Sequence, residues 1–453
     1  MTVEITNPWT GQVDYRYDYQ DEASVQATLA RSSAAFPAWS GLSLDERAGY
    51  LRNVAGQLRE NRDRIAGVMS AEMGKLRREA LAEIEKCAGA CDYYASHAID
   101  YLRDQPIATE ATRSYVCYEP IGCVFAVMPW NFPLWQVFRF LAPALMAGNV
   151  ALLKHATNVP RCADVIAEVL GKAGIPGGVF GVLHIDNDMA ATVIADPRVQ
   201  AITLTGSDRA GRSVAANAGR NLKKCVLELG GSDPFVVLDD ADLDVTIPMA
   251  VASRFGNAGQ TCIAAKRFIV TQGVADEFVR RFAEASGKLV VGDPNDAATT
   301  LAPMVRGDLR DELHSQVTES IAKGARALVG CVPGQGPSHY PASILDHVAP
   351  GMPAYSEELF GPVASIIRVR DEAEAVRVAN DTSFGLGASV WSRDKARGEA
   401  VARQIKAGAC FVNAVVRSDV RLPFGGTKAS GFGRELAEHG IHEFMNIKTM
   451  YVD

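Results

Sequence analysis

The 453-residue chain has no two cysteines at CxxC spacing, no internal repeat, no low-complexity segment and no cluster of basic residues interleaved with aromatics. The first absence argues against a zinc or dithiol redox site. The last, with a formal net charge of -7, argues against nucleic acid as a main partner. The start, MTVEITNPWTG, lacks the basic and apolar stretches of a signal peptide. The longest apolar stretch, residues 137–153, is broken by an arginine, a proline, a glycine and an asparagine, so no membrane span is expected. A cytoplasmic protein is expected. The nine cysteines are scattered at 87, 91, 117, 123, 162, 225, 262, 331 and 410. Cys87 and Cys91 share a helix face and read as core, and His439 and His442 have no third ligand nearby. No metal site is expected.

What is present is an ordinary globular composition, 48% apolar and 22% charged, in a chain long enough for two or three domains. From about Asp21 to Leu102 the pattern is helical, with a capping box at Ser43 and Glu46. Short apolar runs then alternate with helical stretches at 121–128, 150–154, 179–184, 199–206 and 225–230. Such runs fit a buried parallel sheet with crossover helices. The pattern restarts after Gly230 and Gly231, with strands predicted at 234–238, 267–270, 364–369, 388–391 and 410–413. The run DDADLD (239–244) reads as the capped start of a helix, since it lacks the glycine and distal glutamate of a calcium loop. The fold class is therefore α/β with two doubly wound parallel-sheet units, and the tail reads as a closing strand.

Several short segments carry chemistry. GNAGQTCIAA (256–265) sets Cys262 among small and polar residues, a setting suited to a nucleophile on a tight turn. PWNFP (129–133) follows a predicted strand, and its two prolines fix a loop presenting the Asn131 amide, as an oxyanion site requires. A proline-rich turn around a buried tryptophan is the blander reading. VLELGGSDP (226–234) ends a strand with Glu228, where partial burial would raise a carboxylate into the range of a general base. LTGSDRAG (204–211) opens a helix with Gly206, Ser207 and Gly211, the geometry of an anion site, though not a GxGxxG fingerprint. Lys154 ends another strand, within reach of a ribose or phosphate. EELFGPV (357–363) and LPFGGTKASGFGRE (422–435) are glycine-rich turns bearing charges and aromatics.

Taken together, PWNFP, the Gly-Ser turn, ELGG, GQTC, EELFGPV and PFGGxKxSGxGRE resemble the NAD(P)-dependent aldehyde dehydrogenase superfamily, in its order and approximate spacing, from about residue 5 to the end. The resemblance implies a Rossmann-like cofactor domain (1–103 and 121–229), a catalytic domain (230–439) and a small β oligomerisation element (104–120 and 440–453) serving a homodimer or homotetramer. It implies that Cys262 adds to the aldehyde carbon, that Asn131 and the Cys262 N–H hold the oxyanion, and that Glu228 activates the hydrolytic water. It also implies a cofactor site for NAD or NADP built from Trp130, Lys154, Thr157, Gly206, Ser207, Gly211, Leu229, Gly230, Glu358 and Phe360. Many NAD-preferring relatives have glutamate where this chain has Thr157, so both cofactors are expected to bind.

Arg139, eight residues after Asn131, resembles the carboxylate-binding arginine of succinate-semialdehyde dehydrogenases, and a guanidinium suits a carboxylate through two parallel hydrogen bonds. On one helix face, Trp135, Phe138 and Arg139 would lie near Asn131. Arg254, Arg417 and Arg421 are further candidates for the distal carboxylate. Against this stands Gly256, where one branch of relatives has an arginine. The expected reaction is oxidation of a small-molecule aldehyde, succinate semialdehyde foremost. The alternatives are a general aliphatic aldehyde dehydrogenase and a CoA-acylating one. Glu228 favours water over CoA, and none of the eight histidines sits in a motif that would pair it with Cys262 as a hydrolase.

Overall fold

A computed structural model describes residues 2–453. Four helices, Glu22–Ser40, Leu44–Glu60, Arg62–Met73 and Arg77–Leu102, follow an antiparallel N-terminal hairpin of Thr2–Thr6 and Val13–Asp18. The Ser43–Glu46 capping box forms, with the Glu46 N–H donating to Ser43 Oγ and the Ser43 N–H to Glu46 Oε2. The hairpin is not anticipated by the sequence reading; its alternating residues are largely exposed, so no apolar run announces it.

Two large sheets dominate. The first has five parallel strands in the order Lys224–Glu228, Val199–Thr205, Cys123–Met128, Val150–His155 and Phe180–Val182. Every residue of Val150–His155 is buried, as the continuous apolar run implies for a strand covered on both faces. The second sheet is seven-stranded, with Val363–Val369, Ala265–Thr271, Asp233–Val237 and Gly387–Trp391 at its parallel centre. Asp242 caps the helix Leu243–Phe255 by accepting from the Asp244 N–H, as expected for DDADLD.

After Ala409–Val412 the chain leaves the second sheet. Gly431–Phe432, expected within the second unit, pairs antiparallel with Glu228 and Leu227 and becomes the outer strand of the first. Gln105–Pro106, Arg113–Pro120 and Met445–Val452 form a separate three-stranded antiparallel sheet. Among the described residues no helix is long and apolar enough to cross a membrane.

The two large sheets meet end to edge. Loops leaving the C-terminal ends of the first sheet's strands (Pro129, Gly206, Leu229) face loops entering the second sheet's strands (Cys262, Phe360). The segment Leu229–Ser232 joins one sheet directly to the other. Such a C-terminal crevice is where α/β sheets hold ligands.

Candidate functional site

The turn carrying Cys262 is forced by its sequence. Asn257, Ala258 and Gly259 adopt φ values of 55°, 53° and 69°, a left-handed run that reverses the chain after the helix Leu243–Phe255. A Cβ on Gly259 would lie 2.4 Å from the Gly361 carbonyl oxygen, so only glycine fits there. Arg254 clamps the turn: its guanidinium donates to the carbonyls of Gly259 (2.8 Å), Gly361 (2.6 Å) and Ala265 (3.1 Å). Fully buried and spent on backbone oxygens, Arg254 is not available to a substrate, contrary to expectation. Its burial pushes the guanidinium down to about 9.

Asn131 reaches the same turn. Its Nδ2 donates to the Gln260 carbonyl at 2.9 Å, and its own carbonyl accepts from Asn257 Nδ2 at 3.0 Å. One N–H of the Asn131 amide is thereby fixed and the other is left for a ligand. Asn131 and Cys262 line one cavity of about 300 Å³ with Pro129, Trp130, Gly206, Ser207, Leu229, Gly230, Glu358 and Phe360. Lys266 donates to the carbonyls of Thr261 and Cys262 and pairs with Glu358 at 3.0 Å. Glu358 Oε1 also accepts from the Gly231 N–H at 3.0 Å.

The residues expected to bind a dinucleotide fit one. A Cβ on Gly230 would stand 2.3 Å from Glu358 Oε2, so the backbone must be bare for Glu358 to lie there. Gly211 packs against Leu229 so closely that a Cβ would meet its Cδ1 at 2.6 Å, drawing the helix Asp208–Arg220 onto the strand end. Ser207 caps that helix, and Gly206 and Ser207 at its start line the crevice. Phe360 meets Trp130 edge to face at 5.7 Å. Lys154 and Thr157 stand at the end of Val150–His155, outside this cavity, and the Tyr17 hydroxyl donates to the Thr157 carbonyl at 3.0 Å.

Beneath the thiol lies a charge cluster that the sequence reading does not assemble. Glu228 and Glu435 are both buried, and burial raises both carboxyls, Glu228 well above the usual range. Glu228 has no hydrogen-bond donor, and its carboxylate lies against Gly425. Arg139 sits between them: it pairs with Glu435, donates to Thr205 Oγ1 at 3.2 Å and lies 4.6 Å from the Phe424 ring centroid. The expected contact of Arg139 with substrate is therefore corrected. Its guanidinium is neutralised by Glu435 and lines neither of the two cavities flanking the Cys262 turn. Arg421 is corrected too, because it is exposed and gripped at two points by Asp419 (2.8 and 2.6 Å). The Cys262 thiol is pushed up to about 11 by burial, opposed by Arg139 and Lys266, so the resting sulfur carries its proton.

A second cavity, of about 330 Å³, lies on the other side of the same turn. Thr261 and Ile263, which flank the thiol, line it together with Phe132, Trp135, Asn257 and Lys86. Trp135, expected near substrate, is thus on its wall. Cys87 and Cys91 are core, as expected. His442 stacks on Tyr118 at 4.0 Å, and among the described residues no group of side chains could hold a metal ion.

Comparison with known proteins agrees with this geometry. A model of the aldehyde dehydrogenase family matches residues 1–450. A Synechocystis protein named "Probable succinate-semialdehyde dehydrogenase", NADP(+), is 47% identical over 453 residues, covering 100% of both chains. A succinate semialdehyde dehydrogenase, NAD(P)+, of Escherichia coli is 46% identical over 99% of this chain and 97% of its own. The crystal structure of succinic semialdehyde dehydrogenase from Streptococcus pyogenes with NADP+ superposes with a TM-score of 0.97 at 38% identity, covering 99% of each chain.

Proposed function

The chain belongs to the aldehyde dehydrogenase family, and on that premise we propose that it oxidises succinate semialdehyde to succinate with NADP or NAD as hydride acceptor. The observation that carries the reading is the turn that sets Cys262 beside the Asn131 amide, between the crevice lined by Ser207, Glu358 and Phe360 and a second cavity.

Cys262 Sγ adds to the aldehyde carbon once its proton is lost, forming a thiohemiacetal oxyanion. The free N–H of Asn131 and the Cys262 backbone N–H hold that oxygen, and such a donor is worth about 10²–10³ in rate. The nicotinamide, when bound, supplies the acceptor for the hydride that leaves this carbon. What remains on Cys262 is an acyl thioester. Glu228, raised by burial, takes a proton from the water that cleaves it. Because its carboxylate rests against Gly425, Glu228 must turn toward the sulfur to do so. With the cofactor bound, Glu358 would hold the nicotinamide ribose, Phe360 would flank the ring, and Ser207 with the helix N-terminus behind it would receive the pyrophosphate.

The names of the whole-length relatives support an acid aldehyde as substrate. An aldehyde panel tests it: kcat/KM for succinate semialdehyde is expected to exceed that for butanal by roughly ten- to hundredfold, the value of a charge-assisted bond. Equal efficiencies would overturn the acid-aldehyde reading and leave a general aldehyde dehydrogenase.

Thr157 sets the cofactor range. With no carboxylate at this turn and Lys154 close in sequence, a ribose 2′-phosphate is tolerated. Thr157→Glu should raise the Kd for NADP at least tenfold more than that for NAD, measured by fluorescence titration. Each unit-charge pair at about 4 Å and an effective dielectric near 20 costs roughly 4 kcal/mol before screening. Equal changes would place Thr157 away from the ribose.

Assembly into a homodimer or homotetramer through the three-stranded sheet belongs to the same reading. Ile447, Tyr451 and Val452 are exposed on its edge strand Met445–Val452, and an apolar edge of this kind invites pairing. Nine free thiols suit a reducing, cytoplasmic setting.

A further inference from the structure

The second cavity has one cation on its wall, Lys86. It projects from the helix Arg77–Leu102, and its Nζ donates to Ser418 Oγ at 2.7 Å and lies 4.1 Å from the centroid of the Trp135 ring. Neither neighbour carries a negative charge, and among the described residues no carboxylate lies within ion-pair distance of Lys86. One of its three N–H donors is used. Ser418 Oγ accepts from Lys86 and from Trp135 Nε1 at 3.1 Å, so its own O–H remains free to donate. The side chain is exposed as a cavity wall is exposed, yet enough protein surrounds the ammonium to push it down to about 8.

The acidic groups on the same wall have partners other than Lys86. Glu83 pairs with Lys75 and accepts the N–H groups of Leu134 and Trp135, each at 2.9 Å, at the start of the next helix. Glu79 accepts from the Asn257 N–H at 3.0 Å, and burial raises its carboxyl. Arg139, Arg254 and Arg421 are each spent on other partners. Arg417 is exposed and does not line this cavity, so the one cation on the wall that Thr261 and Ile263 share is Lys86, without an ion-pair partner.

Resting on the acid-aldehyde reading above, we propose that the Lys86 ammonium, with the Ser418 hydroxyl beside it, receives the distal carboxylate of the substrate. The aldehyde end then points past Thr261 toward the thiol, and the short carbon chain lies against Phe132 and Trp135. An unpaired ammonium over an aromatic face gains more from a carboxylate than from water, because it exchanges a weak cation–π contact for a charge-assisted bond.

The test is the ratio of kcat/KM for succinate semialdehyde to that for butanal in wild type, Lys86→Met, Lys86→Arg and Ser418→Ala. Lys86→Met should lower the ratio at least tenfold, chiefly through KM for the semialdehyde, and should raise the Ki of succinate as an inhibitor by a similar factor. Lys86→Arg should restore most of the ratio, and Ser418→Ala, a smaller change that spares the cation, should reduce it several-fold. A purely structural role for Lys86 would lower kcat for both aldehydes together and leave the ratio and Ki in place, and that result would overturn the proposal. A wild-type ratio near one would instead overturn the acid-aldehyde reading, and this inference with it.

Discussion

Cys262→Ala is expected to abolish aldehyde oxidation with either cofactor, by a factor on the order of 10⁴ or more, while the protein still unfolds cooperatively. The size follows from what is lost: without the sulfur there is no covalent capture, and the remaining oxyanion donors have nothing to stabilise. The fold should tolerate the change because the half-buried thiol makes no hydrogen bond and alanine fits any backbone that cysteine adopts. The other eight thiols sit elsewhere, with Cys87, Cys91, Cys123 and Cys162 in the core, and none is placed to substitute. Turnover above about one thousandth of wild type in the coupled absorbance assay would remove Cys262 from the chemistry.

Arg139→Met should cost about 3–5 kcal/mol of stability in urea unfolding, the range for breaking a buried ion pair from one side. Glu435 would be left buried beside Glu228 without its ion-pair partner, and one or both carboxyls would have to keep a proton. The double variant Arg139→Met with Glu435→Gln should be less destabilised than the sum of the two single ones, since the orphaned charge is removed as well. Additive losses would mean that the pair does not hold the cluster together. A selective loss of semialdehyde use with stability unchanged would instead restore Arg139 to the substrate.

Much of the site is legible in the chain because short local rules determine it. Gly259 had to be glycine for its left-handed turn, Gly230 for the approach of Glu358, and the prolines of PWNFP fix the backbone around Asn131. The parallel strands are legible for the same reason: buried on both faces, they cannot be anything but continuous apolar runs. Arg139 was misplaced because the helix Trp135–Met146 is buried at every one of its 12 positions. With no solvent face, helical periodicity cannot say which side meets the substrate. Lys86 is silent for a different reason. Its partner Ser418 lies 332 residues away, and nothing within the helix Arg77–Leu102 distinguishes this lysine from a solvated one. Glu435 stood inside a recognised motif, but its pairing with Arg139 depends on the return of its segment to the first sheet.

The crossing of Gly431–Phe432 into the first sheet bears on what either sheet holds by itself. The Ser430 hydroxyl donates to the Gly230 carbonyl across 200 residues of chain, and the Leu229 N–H donates to the Ser430 carbonyl beside it. These bonds close a loop of 200 residues, and the entropy of that closure is recovered only from such non-local contacts. Glu228 sits on the strand they close, and Glu435 arrives with the same segment. The pair of carboxyls beneath the thiol is thus completed by a strand that crosses between the sheets rather than by either sheet alone. Neither sheet by itself carries the full carboxyl cluster, because Glu435 reaches Arg139 only with the segment that crosses from one sheet to the other.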